Sequence, residues 1–238
     1  MGEVSAACGV TNGYPCFLET ELHRVQDLGD LLSEFEVAAI AKIRISKVVW
    51  APIEGLIIRT LSPNLYAFQF FYWRDKEKVF NGRSWCWDNN LIVLNEVHGD
   101  EQPEQVNLQL SPFWVRVCKL PFNCRSDEYV KALVTGLGEL IELEPDALGL
   151  NRYRRVQVLI DVDKPLRRYQ RVGDKGGNEI KIEFKYERLP YLCFACGVIG
   201  HSEKDCLMVS EEEKEKRLGW GLFLRASPRK GKAKELRR

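Results

Sequence analysis

The stretch Cys193–Cys206, CFACGVIGHSEKDC, decides how the rest of the chain is read. Its spacing is C-x2-C-x4-H-x4-C. Zinc prefers four soft or borderline donors in a tetrahedron, and three cysteines with one histidine are a usual structural set. The two-residue gap between Cys193 and Cys196 lets one tight turn aim both sulfurs at a common point. Gly197 follows where the backbone must curl, and Gly200 lets the chain reverse into His201. Four donors, Cys193, Cys196, His201 and Cys206, close the shell around one structural Zn2+ and leave no position for a substrate. A loop this short has almost no core, so the ion must supply its folding energy, roughly 10–16 kcal/mol in zinc-finger peptides. Phe194 and Ile199 are expected to form an exposed apolar patch on which an unpaired base stacks, at ~1–3 kcal/mol per base. Lys204 and Arg188 are expected to reach flanking phosphates. Small zinc loops recognise single-stranded nucleic acid in this way. A loop that binds protein, or that only staples the chain, uses the same four ligands.

Charge is segregated around this loop. The net charge is +1, yet residues 1–110 hold 9 Lys/Arg against 15 Asp/Glu, while residues 151–188 hold 11 against 6 and residues 211–238 hold 10 against 5. Basic segments thus flank the loop on both sides, which suits a polyanionic partner. In the first of them, Asn151–Arg155 (NRYRR) and Lys164–Arg171 (KPLRRYQR) interleave arginines with Tyr153 and Tyr169. Arg167, Arg168 and Arg171 are the candidate nucleic-acid contacts there, because arginine forks onto phosphate and stacks on bases. A solvated strand edge has the same composition. The end, Ser227–Arg238, is basic and poor in apolar residues, as a disordered arm, a phosphate-binding arm or a nuclear-localisation patch would be.

Five further cysteines, Cys8, Cys16, Cys86, Cys118 and Cys124, lack ligand-like spacing and are expected to be reduced thiols, mostly packing residues. The first residues show no signal-peptide pattern, and Lys42, Arg44, Lys47 and Glu54 interrupt the most hydrophobic stretch, so no membrane span is expected. The expected location is intracellular, nucleus or cytoplasm with the nucleus preferred. No enzymatic activity and no small-molecule substrate are expected. Asp161 and Asp163 have no partner histidine, His23 and His98 are isolated, and Gly136-x-Gly138 belongs to no phosphate-binding pattern.

Periodicity predicts an α+β fold. Residues 1–16, with Gly2, Gly9, Gly13 and Pro15, read as a loose leader. Apolar positions recur at helical spacing from Glu34 to Trp50, and Pro52 ends that run. Gly55–Leu61 and Leu65–Tyr72 read as strands about a Ser62-Pro63-Asn64 turn, Arg74–Ser84 as a charged helix and Asn90–Val97 as a strand. Residues 34–97 thus form a first α+β domain and 98–111 a linker. A second α+β unit, 112–188, has strands at Phe113–Leu120, Leu140–Leu143, Arg154–Val162 and Glu179–Tyr186. Its helix over Asp127–Leu137 is capped by Ser126, and GDKGGN (173–178) supplies turn chemistry. A zinc knuckle over 190–207 and a charged, basic tail over 208–238 follow. No tandem repeat is visible.

The stretches PNLYAFQFFYWRDKEKVFNGRSWCWDNNLIVL (63–94), PFWVRVCKLPF (112–122), VLIDVDKPLRR (158–168), FKYERLPYLCFACGVIGHSEKDC (184–206) and GWGLFLRASP (219–228) carry a resemblance. Across roughly residues 40–228 the chain resembles the gag-like proteins of plant non-LTR (LINE-type) retrotransposons, in which a plant domain of unknown function precedes a CCHC zinc knuckle. The resemblance implies a zinc-binding, nucleic-acid-binding protein without enzymatic activity, and a first domain like an RNA-recognition motif (ferredoxin-like). Residues 34–97 would supply all of that domain but its first strand; residues 1–33 depart from the family pattern. The implied partner is single-stranded RNA or DNA. Self-association or binding of host proteins is the alternative, for which exposed Trp85 and Trp87 leave room.

Overall fold

The computed structural model describes residues 3–10, 50–53, 55–97, 105–146, 151–173, 178–216 and 219–228. Internal contacts divide the chain into two compact units. One comprises Met1–Ser111 with Asp161–Asp163 and Ile199–His201, the other Pro112–Ile160 with Lys164–Val198 and Ser202–Arg238. The chain is mixed α/β, with one five-stranded sheet in each unit.

In the first sheet, β2 (Leu56–Ser62) and β3 (Leu65–Phe70) form a hairpin. Pro63 presets one turn dihedral, and Asn64 takes φ 64°, a left-handed conformation that asparagine tolerates. Helix α1 (Trp73–Asn81) follows, then β4 (Trp85–Trp87) and β5 (Asn90–Asn95). The β4–β5 turn places Asp88 and Asn89 at φ 47° and 61°, as a type I′ hairpin requires. Trp50, Leu56, Phe68, Phe70, Val79, Phe80 and Leu94 make the core, with Trp50 edge-on to Phe68 at 5.2 Å between ring centroids. Trp85 packs on this core and donates Nε1–H to the Val79 carbonyl at 2.7 Å, so it is a structural residue and not the exposed aromatic expected.

The centre of this sheet corrects the reading of the leader. Glu3–Val10 is a strand, β1, antiparallel to β3 on one side and to β5 on the other. Its sequence, EVSAACGV, has small residues and no alternation, because a strand paired along both edges draws its stability from two ladders more than from its own propensity. The expected helix over Glu34–Trp50 lies outside the described residues except at Trp50, which is helical.

The second unit runs β6 (Leu110–Cys118), α2 (Asp127–Val134), β7 (Glu139–Leu143), β8 (Tyr153–Asp161), β9 (Tyr169–Gly173) and β10 (Glu179–Tyr186). Ser126 caps α2 as expected, its Oγ accepting from the Tyr129 amide at 3.3 Å. Alternation sends Val115 and Val117, Val156, Val158 and Ile160, and Ile182, Phe184 and Tyr186 into a core closed by Val130, Leu133 and Val134 of α2. The same alternation places Trp114, Arg116, Tyr153 and Arg155 among the residues of the opposite face.

The strand order is β2-β3-β1-β5-β4 in the first sheet and β7-β8-β6-β10-β9 in the second. Numbered within each unit, both read 2-3-1-5-4, although the sequences show no repeat. They differ at the crossing from third to fourth strand. In the first unit it carries α1; in the second, Val162–Arg168 crosses without a helix.

Candidate metal centre

The four predicted ligands come together. One donor atom from each of Cys193, Cys196, His201 and Cys206 lies within 4.8 Å of every other. The three cysteines are buried and the histidine is half-buried. Around a tetrahedral zinc with bonds of about 2.3 Å to sulfur, thiolates stand roughly 3.8 Å apart, so a small inward adjustment of the side chains completes the shell. The donor set, its closeness and its burial all fit one structural zinc.

Local hydrogen bonds build the loop. The Gly197 amide donates to the Cys193 carbonyl at 2.9 Å and the Cys193 amide to the Val198 carbonyl at 3.0 Å, which turns the chain tightly between the first two ligands. Gly197 and Gly200 sit at φ 79° and 105°, as expected of glycines at the reversals. The Phe194 amide donates to the Glu203 carboxylate at 3.0 Å, tying the first turn to the second. Ser202 and Asp205 hydrogen-bond to each other, and the chain swings Cys206 back towards the site. Ala195, Val198 and Val209 cover the sulfurs.

Burial above all pushes the Cys196 thiol up to about 12. A backbone hydrogen bond at Val198 opposes this, and side-chain hydrogen bonds with Cys193 and Cys206 add to it. A divalent cation is the partner that makes thiolates stable there. Lys214, on the short helix α3 (Glu211–Lys216), has its pKa raised first by a hydrogen bond to Glu211 at 2.5 Å, against desolvation, and further by Cys206 and Cys193. The charge run EEEKEK does not reveal this electrostatic link to the cysteines in sequence.

The knuckle is clamped. The segment after α3 returns across it, and the Trp220 amide donates to the Phe194 carbonyl at 3.1 Å. The indole Nε1–H of Trp220 donates to the Leu166 carbonyl at 2.7 Å, while the Leu166 amide donates to the Gly197 carbonyl at 2.8 Å. The Trp220 ring lies so close to Gly197 that any side chain there would overlap it. Leu166 belongs to the helix-free crossing of the second unit. Beyond a 3₁₀ turn at Leu222–Leu224, Arg225 bridges in parallel to Tyr186, and the Ala226 amide donates to the Tyr186 carbonyl at 2.8 Å. Sequence reading marked GWGLFLRASP only by resemblance and assigned Trp220 no role.

The other expected contacts divide. Phe194 is half-buried and Lys204 and Arg188 are exposed, with Arg188 at φ 50°. Ile199 is 5% exposed, so the expected two-residue platform lacks its second member; an apolar side chain in a loop with little cover is drawn out of water rather than displayed. Arg167 is exposed, its guanidinium against Gly136 at the end of α2, and its carbonyl accepts from the Tyr186 hydroxyl at 2.7 Å. Arg168 donates to the Gly219 carbonyl and lies over both Trp220 and Tyr169, at 4.7 and 5.6 Å from the ring centroids. Arg171 is exposed and 3.3 Å from Glu179.

The NRYRR stretch is used internally. Arg154 is buried and pairs with Asp127 at 2.6 Å. Arg155 stacks 3.4 Å from the Trp114 centroid and Arg116 stacks 4.7 Å from that of Tyr153, and both bond Glu187. Cys118 and Cys124 are free, half-buried thiols; Cys86 is exposed. No helix among the described residues is long and apolar enough to cross a membrane.

Residues 160–208 match a protein family described as a zinc knuckle. The match contains all four ligands, and also the helix-free crossing, β9 and β10. No curated protein matches the chain.

Proposed function

We propose that this chain is a zinc-dependent, non-enzymatic protein that binds single-stranded RNA or DNA, of the gag-like kind encoded by plant LINE-type retrotransposons. The observation that carries the reading is the closed Cys3His site, whose loop carries half-buried Phe194 and exposed Lys204, with exposed Arg188 preceding it in the chain. The first unit is assigned an RNA-recognition-motif-like fold. The order β2-β3-β1-β5, with α1 between β3 and the β4–β5 hairpin, supports that assignment. Nuclear residence rests on the basic end, whose Arg229, Lys230, Lys232, Lys234, Arg237 and Arg238 lie outside the described residues.

Titration of the zinc-loaded protein with homopolymeric RNA and single-stranded DNA, with and without chelator and at two salt concentrations, tests the reading. Affinity should fall steeply with salt and vanish with chelator. Phe194→Ala should weaken binding about tenfold with zinc still bound. Binding indifferent to salt and chelator contradicts the reading.

A second reading, assembly with itself or with another protein, is favoured by one observation. Leu207 is 98% exposed, and Met208, Leu222 and Phe223 are also exposed in the segments following the knuckle. Exposed apolar residues mark contact surfaces where they form a contiguous patch. Capture of a partner that survives nuclease digestion and fails after chelation would favour it.

A further inference from the structure

We infer that the knuckle and the β9–β10 edge form one continuous track for a single-stranded nucleic acid, with Tyr169 as a second base-stacking platform. This rests on the nucleic-acid reading above and extends it from a loop to a surface.

The track runs through contacts from one residue to the next. Phe194 in the knuckle receives the backbone of Trp220. Arg168 lies over Trp220 and over Tyr169. Lys181 of β10 stands 4.3 Å from the Tyr169 centroid, and Arg171 of β9 stands 5.8 Å from it. Tyr169 is half-exposed on an edge strand and is surrounded by three cations. Aromatic rings alternating with cations match a strand of stacked bases on a phosphate chain. The acids nearby do not cancel this charge. Glu183 is paired with Lys119 at 2.7 Å, and the Arg171–Glu179 pair is exposed on both sides, a kind of pair worth little and readily exchanged for phosphate. Lys181 occupies the ring through a flexible stem that can yield to a base.

The clamp makes this geometry specific. Leu166, Gly197 and Trp220 hold the knuckle against the crossing that leads directly into β9. Phe194 and Tyr169 are therefore kept in fixed register. The span of the zinc-knuckle match, which starts at Ile160, covers both halves of the track.

The test uses the full zinc-loaded chain and oligouridylates of about four and about twelve nucleotides, lengths within the range of known single-strand site sizes. The longer strand should bind more tightly. Tyr169→Ala should lower its affinity about tenfold, leave the shorter one unchanged and keep one zinc per chain, while Tyr169→Phe should bind as the unsubstituted protein does. Lys181→Ser should reduce the slope of log affinity against log salt by about 0.7 for the long strand, and carries the test should Tyr169→Ala fail to fold. If these variants match the unsubstituted protein on the long strand while Phe194→Ala weakens both lengths, the track is wrong and the nucleic-acid reading stands. If the unsubstituted protein binds neither strand, both fall.

Discussion

Gly197 shows most sharply what a single residue has to satisfy. Its φ of 79° already excludes most side chains, and the Trp220 indole fills the space that a Cβ would take. Gly197→Ala should therefore cost ~1–3 kcal/mol, read as weaker zinc affinity in competition with a chromophoric chelator. Adding Trp220→Ala should restore only the steric share. Glu187 makes a different case. Burial alone would raise its carboxyl, but hydrogen bonds from Arg155 and Arg116 outweigh that and hold it below the usual carboxylate range. A carboxyl depressed in the folded state stabilises the protein above its unfolded value of about 4.3, and that contribution is lost as pH falls through the folded value. Glu187→Gln should lower the urea midpoint at about pH 7 and flatten its decline below about pH 4. The four ligands were legible in sequence because their chemistry fixes both type and spacing. Trp220 was not, since nothing in GWG says which glycine a distant indole will cover.

Helix α2 was readable almost to its ends. Ser126 before Asp127 and Glu128 is a local signal with a local cause, and the cap is made. Ser126→Ala should lower stability by about 1 kcal/mol, measured as a shift in Tm. The helix stops at Val134, short of the Leu137 expected, and the chain turns towards Gly138, whose absent side chain makes room for the Leu159 carbonyl of β8. Strands with alternating burial, such as β6, β8 and β10, were equally legible. Besides β1, two short ones were not. β4 is only WCW, and its hairpin signal was the Asp88-Asn89 pair, whose residues both take positive φ. β9 lies within a run that was read as a basic patch; it is both, because an edge strand can hydrogen-bond on one side and carry charge on the other.

At the scale of the molecule, two sheets share the order 2-3-1-5-4 while their first strands read EVSAACGV and LSPFWVRVC. Connectivity depends on which ladders form across the chain, and so many residue patterns satisfy it that the likeness left no trace in the sequence. Each sheet has its own core, apart from the sulfurs of the knuckle. Chelation should therefore release one zinc per chain and leave the far-ultraviolet circular dichroism of both sheets nearly intact; wholesale loss of strand signal would contradict this. The return of the chain over the knuckle has a consequence of its own. All four ligands precede α3, whereas Trp220 and the bridge at Arg225 follow it. A single proteolytic nick just beyond α3 would thus leave a species that still captures its ion but keeps only the Leu166 part of the clamp, loosening orientation without loss of metal.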